Sequence, residues 1–225
     1  MPGVGRCCLL LSIPVLFTAG SAIAADALPS FEADADRTSV SGLSSGAYMA
    51  GQFHVAFSST ITGAGIVAGG PYSCAEGQLF LALNRCMKTS RGVPDPVRLL
   101  RRAEASAAEG RIDSLADLSG DRVYLFSGTE DDTVTGPVVA AAAAFYRLAG
   151  VPDAAVRLVD DVAAGHAFIT EDQGNACGLT ASPFINDRKN RKLRGVMLQY
   201  KAMLRLVRWM FRRLPNIMNW TLPHL

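Results

Sequence analysis

The sequence predicts an α/β protein, a mostly parallel sheet with flanking helices, and three observations predict it. Strand-like and helix-like runs alternate along residues 36–161. One of the strand-like runs, "ITGAGIVAGG", is uniformly small and apolar, which suits a strand buried on both faces of a parallel sheet. The helical runs between strands supply the right-handed crossovers that such a sheet demands.

Taken in order, "DRTSVSGL" (36–43) reads as a short strand entering a turn. "AYMAGQFHVAFSS" follows, with apolar residues at 49, 53, 56 and 57, a helical spacing. "ITGAGIVAGG" (61–70) is the second strand, and a Gly/Pro/Cys-rich loop comes after it. "DPVRLLRRAEASAAEG" (95–110) is a helix with Asp95 as its cap, Pro96 at its first position and Gly110 at its end. "DRVYLFSG" (121–128) is the clearest strand, an apolar run that stops at Gly128. Residues 136–149 form an Ala-rich helix ended by Gly150 and Pro152, and "AAVRLVDD" (154–161) is the fourth strand. The order is strand, helix, strand, helix, strand, helix, strand.

At 225 residues the chain suits one core, and 49% hydrophobic with 19% charged residues excludes a disordered chain. Its net charge of +2 conceals an asymmetry. Residues 1–187 hold 12 Lys and Arg against all 20 Asp and Glu, a net −8; residues 188–225 hold the other 10 bases and no acid, a net +10. Residues 1–24 read as a secretory signal, with Arg6, the apolar run "CCLLLSIPVLF" and the cleavage site Ala22-Ile23-Ala24. The division expected is therefore a signal over 1–24, a catalytic region over 25–187 and a divergent basic tail over 188–225. Export permits disulfides. Cleavage would leave Cys74, Cys86 and Cys177, and the short separation makes Cys74 with Cys86 the favoured pair, with Cys177 left over. Neither a C-x-x-C pair nor a His-x-x-x-His spacing occurs, so no metal site is expected.

Three chemically useful groups follow three of the strands, where the strand ends of an open parallel sheet form sites. Ser44 is central in Gly42-Leu43-Ser44-Ser45-Gly46, a G-x-S-x-G turn; Asp131 and Asp132 follow the third strand; His166 follows the fourth. A serine hydroxyl attacks only when an imidazole takes its proton, and the imidazole needs a carboxylate on its other nitrogen. Glycines at 42 and 46 would let the turn close tightly and let strand and helix approach, and the Ser45 N–H would point at a developing oxyanion. Each residue also has an ordinary reading. Ser45 is a rival, off-centre nucleophile, either aspartate suits a solvated turn, and His166 suits a plain loop. His54 lies within a helical run and His224 in the tail, which leaves His166 as the well-placed base.

The stretches "GLSSGAYMAGQ", "GGPYSCA", "SGTEDDTV", "AGHAF" and "GNACGLTASPFIND" together resemble the secreted poly(3-hydroxybutyrate) depolymerase-like esterases, over about residues 36–187. That resemblance implies a circularly permuted α/β-hydrolase fold, Ser44 as nucleophile, His166 as base and Asp131 rather than Asp132 as the acid. It implies a polymeric or oligomeric hydroxyalkanoate ester as substrate and no cofactor. Two departures stand out. Similar proteins place a cysteine, partner to the one at 177, where this chain has Arg188. They also continue with further strands and a second oxyanion donor, so the resemblance implies an incomplete sheet here.

The tail places Val196, Tyr200, Met203, Val207, Met210 and Leu214 on one helical face beside Lys201, Arg205, Arg208 and Arg212. That pattern fits a helix on a membrane surface, a helix covering the sheet, or accidental amphipathicity in a shifted reading frame. An exported chain with an acidic body is not expected to bind nucleic acid. The leading expectation is a secreted serine esterase. A non-catalytic remnant or binding protein of the same family and a secreted serine peptidase are the alternatives.

Overall fold

A computed structural model describes residues 37–188. The signal, the tail beyond Arg188 and with it His224 lie outside them. The alternation of strands and helices is present. β1 (Thr38–Leu43), β2 (Ile61–Val67), β3 (Arg122–Gly128) and β4 (Val156–Val162) form a four-stranded, all-parallel sheet in the order β1-β2-β3-β4. Between them run α1 (Ser45–Ala56), a short α2 (Leu79–Leu81) continued as a π-helix over Ala82–Met87, α3 (Pro96–Ala108) and α4 (Gly136–Leu148).

Sequential strand order with right-handed crossovers puts every crossover helix on one face of the sheet. The buried residues agree. Ala64, Ile66, Val123 and Leu125 share a core with Val55 of α1, Leu99 of α3 and Val138, Val139 and Phe145 of α4. Their strand neighbours Val67, Phe126 and Val159 point to the opposite face, in line with strand alternation. There they pack with Val162 at the end of β4 and with Ala164 and Ile169 from the chain after it.

Local signals act as the residue types demand. The Asp95 carboxylate accepts the N–H groups of Val97 and Arg98 at 3.0 and 3.2 Å, Pro96 fills the first turn of α3, and Gly110 takes the left-handed φ of 68° that stops it. In α1 the helix is where the sequence predicts it, but its buried face is not. Ala47, Ala50, Gly51, His54 and Val55 face the sheet, while Met49, Phe53 and Phe57 are exposed. A helix seated close on two strands needs small side chains beneath it, and its larger apolar residues turn outward.

The segment after β2, read from sequence as a loop, contains α2 and the π-helix. Cys74 and Cys86 are joined within it, and Cys177 is free. Glu76 in this segment takes a left-handed φ of 51° and faces three guanidinium groups, Arg98 at 2.6 Å, Arg102 at 3.6 Å and Arg85 at 3.8 Å. The hydrogen bond from Arg98 is the main cause that holds its carboxyl below the usual range. A depressed carboxyl stabilises the fold above its unfolded pKa of about 4.3, and that contribution disappears as pH falls through the folded value. Urea midpoints measured from pH 6 down to pH 3 are therefore expected to fall less steeply in Glu76→Gln than in the parent.

The two shortest strands, β5 (Phe168–Thr170) and β6 (Ile185–Asp187), pair parallel to each other in a separate ribbon. Among the described residues no helix is long and apolar enough to cross a membrane.

Candidate active site

The register of the sheet defines a rim. Leu43, Val67, Phe126 and Val159 lie abreast across β1 to β4. Ser44 is the next residue after this row on β1. Asp131 and His166 come a few residues beyond the ends of β3 and β4. All three thus leave the sheet at its carboxyl edge. The β3–β4 register shifts between Phe126 and Gly128, next to the turn that carries Asp131.

Ser44 joins β1 to α1 with φ 57° and ψ −120°, a combination that serine adopts only under constraint and at a cost of about 1–3 kcal/mol. Its backbone is held on both sides: its N–H donates to the Val67 carbonyl at 2.9 Å, and its carbonyl accepts the Tyr48 N–H at 3.0 Å. A serine before a helix normally spends its hydroxyl on capping. Here Ser44 makes no side-chain cap bond, so the ordinary reason for that residue does not apply. Gly42 is required by space, because a Cβ there would lie 2.2 Å from the Gly46 carbonyl carbon. Gly46 is not, since a Cβ on it would meet nothing within 4 Å. Of the two glycines read as closing the turn, the first carries the strand-to-helix approach. Ser45 is exposed and is the first residue of α1, where backbone N–H groups have no partner one turn earlier and face the positive end of the helix.

Asp131 and His166 are in contact. The imidazole Nδ1 lies 2.8 Å from Asp131 Oδ2, and both residues are buried. The other carboxylate oxygen, Oδ1, accepts the Thr133 and Val134 N–H groups at 2.8 and 3.0 Å. With its acceptor fixed in this way, the carboxylate assigns the proton to Nδ1 and leaves Nε2 as the basic nitrogen. Asp132 is exposed and makes no such contact. Among the described residues no hydrogen bond joins Ser44 Oγ to the imidazole. The structure pairs His166 with Asp131 and sets Ser44 at the same rim.

Tyr48, one turn along α1 from Ser44, was not singled out from the sequence. Its hydroxyl donates to the Cys86 carbonyl, beside the disulfide. Burial, and then the charge of Asp131, push its phenol well above the usual range, so it stays a neutral donor. His54 takes no part in the rim. It is wholly buried, with Nε2 at 2.9 Å from Asp121 Oδ2 and Nδ1 at 3.2 Å from the Tyr146 hydroxyl. Among the described residues no group of three or more His, Cys, Asp or Glu could hold a metal ion.

No family model matches the chain. It is 46% identical over 182 residues to a poly(3-hydroxybutyrate) depolymerase of Delftia acidovorans, a match covering 80% of this chain and 36% of that protein. It is 36% identical over 171 residues to a polyhydroxybutyrate depolymerase of Talaromyces funiculosus, covering 73% and 48%. The chain belongs to the poly(3-hydroxybutyrate) depolymerase family. The fold agrees. The crystal structure of PHB depolymerase from Penicillium funiculosum superposes with a TM-score of 0.63 at 34% identity, over 72% of this chain and 50% of that one. A serine-to-alanine PHB depolymerase complexed with an R3HB trimer superposes equally well. These matches establish the α/β-hydrolase architecture. The chain spans between about a third and a half of the length of these family members.

Proposed function

We propose that the chain is a secreted serine esterase that hydrolyses hydroxyalkanoate polyesters or their oligomers, with Ser44, His166 and Asp131 as its triad. The observation that carries this is the buried His166–Asp131 pair at the rim where Ser44 sits in a constrained strand-to-helix turn. In the reaction Ser44 Oγ attacks the ester carbonyl while His166 Nε2 takes its proton. The Ser45 N–H at the start of α1 donates to the oxyanion. Collapse breaks the carbon–oxygen bond, and the His166 proton passes to the departing alkoxide. Water, deprotonated by the same nitrogen, then attacks the acyl carbonyl, and the imidazole returns that proton to Ser44 Oγ as the bond to the hydroxy acid breaks. Every proton is accounted for by the imidazole, so no cofactor is needed.

The substrate class is supported by the names of the relatives and by the R3HB trimer in the complex of one of them. Secretion is supported by the leader-like residues 1–24 and by the Cys74–Cys86 disulfide. Contact of the basic tail with a membrane surface is supported by the 196–214 pattern alone.

A fluorophosphonate probe tests the assignment. It is expected to label the purified chain on Ser44, located by peptide mass spectrometry, and to abolish p-nitrophenyl butyrate hydrolysis. Ser44→Ala should take up no label. Labelling on Ser45, or hydrolysis no faster than the buffer blank, would overturn it.

A further inference from the structure

His166 sits four residues past β4 in a turn without regular structure. A histidine on a free loop would sample many orientations, yet a general base must hold one. The question is what fixes it.

We propose that residues 175–187 are the frame that orients the His166 imidazole, with Thr180 and Asn186 as positioning residues. This rests on the reading of Ser44, His166 and Asp131 as a triad. Two consecutive N–H groups of the histidine turn are tied to the frame. The His166 N–H donates to Thr180 Oγ1 at 2.9 Å, and the Gly165 N–H donates to the Cys177 carbonyl at 3.0 Å. The approach is so close that a Cβ on Gly165 would lie 2.5 Å from the Gly178 carbonyl oxygen.

The frame is itself held from inside. Asn186 is wholly buried, and its side-chain amide donates to the Cys177 carbonyl at 2.8 Å and the Leu179 carbonyl at 2.7 Å. Both amide hydrogens are thus used to shape the stretch that presents Thr180. Asn186 is the middle residue of β6, which pairs with β5, the strand leaving the histidine turn. The turn is therefore clamped on both sides of His166: residues 165 and 166 to residues 177 and 180, and residues 168–170 to residues 185–187. Asp131 fixes one edge of the ring, and the frame fixes the backbone from which the ring hangs. A purely structural ribbon would need the β5–β6 pairing but no bond to the N–H of the base itself.

The test uses the full chain and three variants at one position. Thr180→Val keeps the shape and removes the acceptor, Thr180→Ser keeps the acceptor, and Thr180→Ala adds no bulk should the valine variant fail to fold. The rate of Ser44 labelling by a fluorophosphonate, per folded molecule, is expected to fall by up to about 100-fold in Thr180→Val and Thr180→Ala, as a misplacement of a catalytic group by about 1 Å can do, and to return in Thr180→Ser. The downfield NMR resonance of the His166 Nδ1–H bonded to Asp131 should be sharp in the parent and in Thr180→Ser, and broadened in the other two. Wild-type labelling rates in folded Thr180→Val or Thr180→Ala would overturn the proposal. So would a Thr180→Ser variant as slow as they are. If the parent itself takes no label, the triad reading fails, while the imidazole resonance still shows whether Thr180 holds the ring.

Discussion

Asp131→Asn is expected to lower p-nitrophenyl butyrate turnover about 10⁴-fold with the fold intact, because it leaves the imidazole in the wrong tautomer. The reason lies in the two oxygens of the native carboxylate. Oδ1 accepts two backbone N–H groups, from Thr133 and Val134, and Oδ2 faces His166 Nδ1. An asparagine can satisfy the two N–H groups only with its single amide oxygen. Its NH2 must then point at the imidazole, and Nδ1 must become an acceptor. The ring proton moves to Nε2, the nitrogen that takes the Ser44 proton in the proposed mechanism. Asp132, exposed one residue later, has no such contact, and Asp132→Asn should stay within about 3-fold of the parent, as surface substitutions usually do. Steady-state rates for both variants, with melting curves to confirm folding, decide the matter. A large loss in Asp132→Asn with little in Asp131→Asn would reverse the assignment.

The sheet and its longer crossover helices are legible in the sequence because each strand is a compact apolar run bounded by turn residues and because α3 and α4 are followed by glycine stop signals. Gly110 and Gly150 both adopt the left-handed φ that their positions imply. What sequence hides is depth. The apolar spacing at 49, 53 and 57 marks a true helix but its outward face, since the inner face is mostly alanine and glycine, with Val55 its one large apolar residue, and so carries little periodic hydrophobic signal. β5 and β6, at three residues each, are too short to show alternation, so the frame around His166 cannot be read as strands. The choice between Asp131 and Asp132 is open to composition and spacing; family resemblance makes it, and in the structure it is Asp131 that contacts His166. Tyr48 and Thr180 are invisible for a different reason. Their partners are a carbonyl 38 residues away and a backbone N–H 14 residues away, and backbone groups leave no trace in a sequence pattern.

The other large effect concerns stability rather than chemistry: Asp121→Ala should destabilise the fold by about 1–3 kcal/mol, the cost of leaving a buried hydrogen-bonding group without its partner. His54, Asp121 and Tyr146 meet in a buried polar cluster linking α1, the approach to β3 and α4. Burial drives the His54 imidazole below its usual range and the Asp121 carboxyl above its own, so both are pushed toward their uncharged forms. Without Asp121, His54 Nε2 loses its hydrogen-bond partner. A loss of that size is a large share of the roughly 5–15 kcal/mol that holds a domain together. Urea denaturation should show a lower midpoint at unchanged slope. Tyr146→Phe, which removes one neutral hydroxyl, should cost about 1–2 kcal/mol. Combining Asp121→Ala with His54→Leu should cost clearly less than the two separately, because the second change removes the group that the first leaves unpaired. His54 lies nine residues beyond Ser45, about 13 Å along the helix, at the far end from the Ser44 turn. The folded fraction of Asp121→Ala should accordingly react with a fluorophosphonate at the parental rate. A slowed reaction in folded protein would mean that the cluster holds the nucleophile as well as the fold.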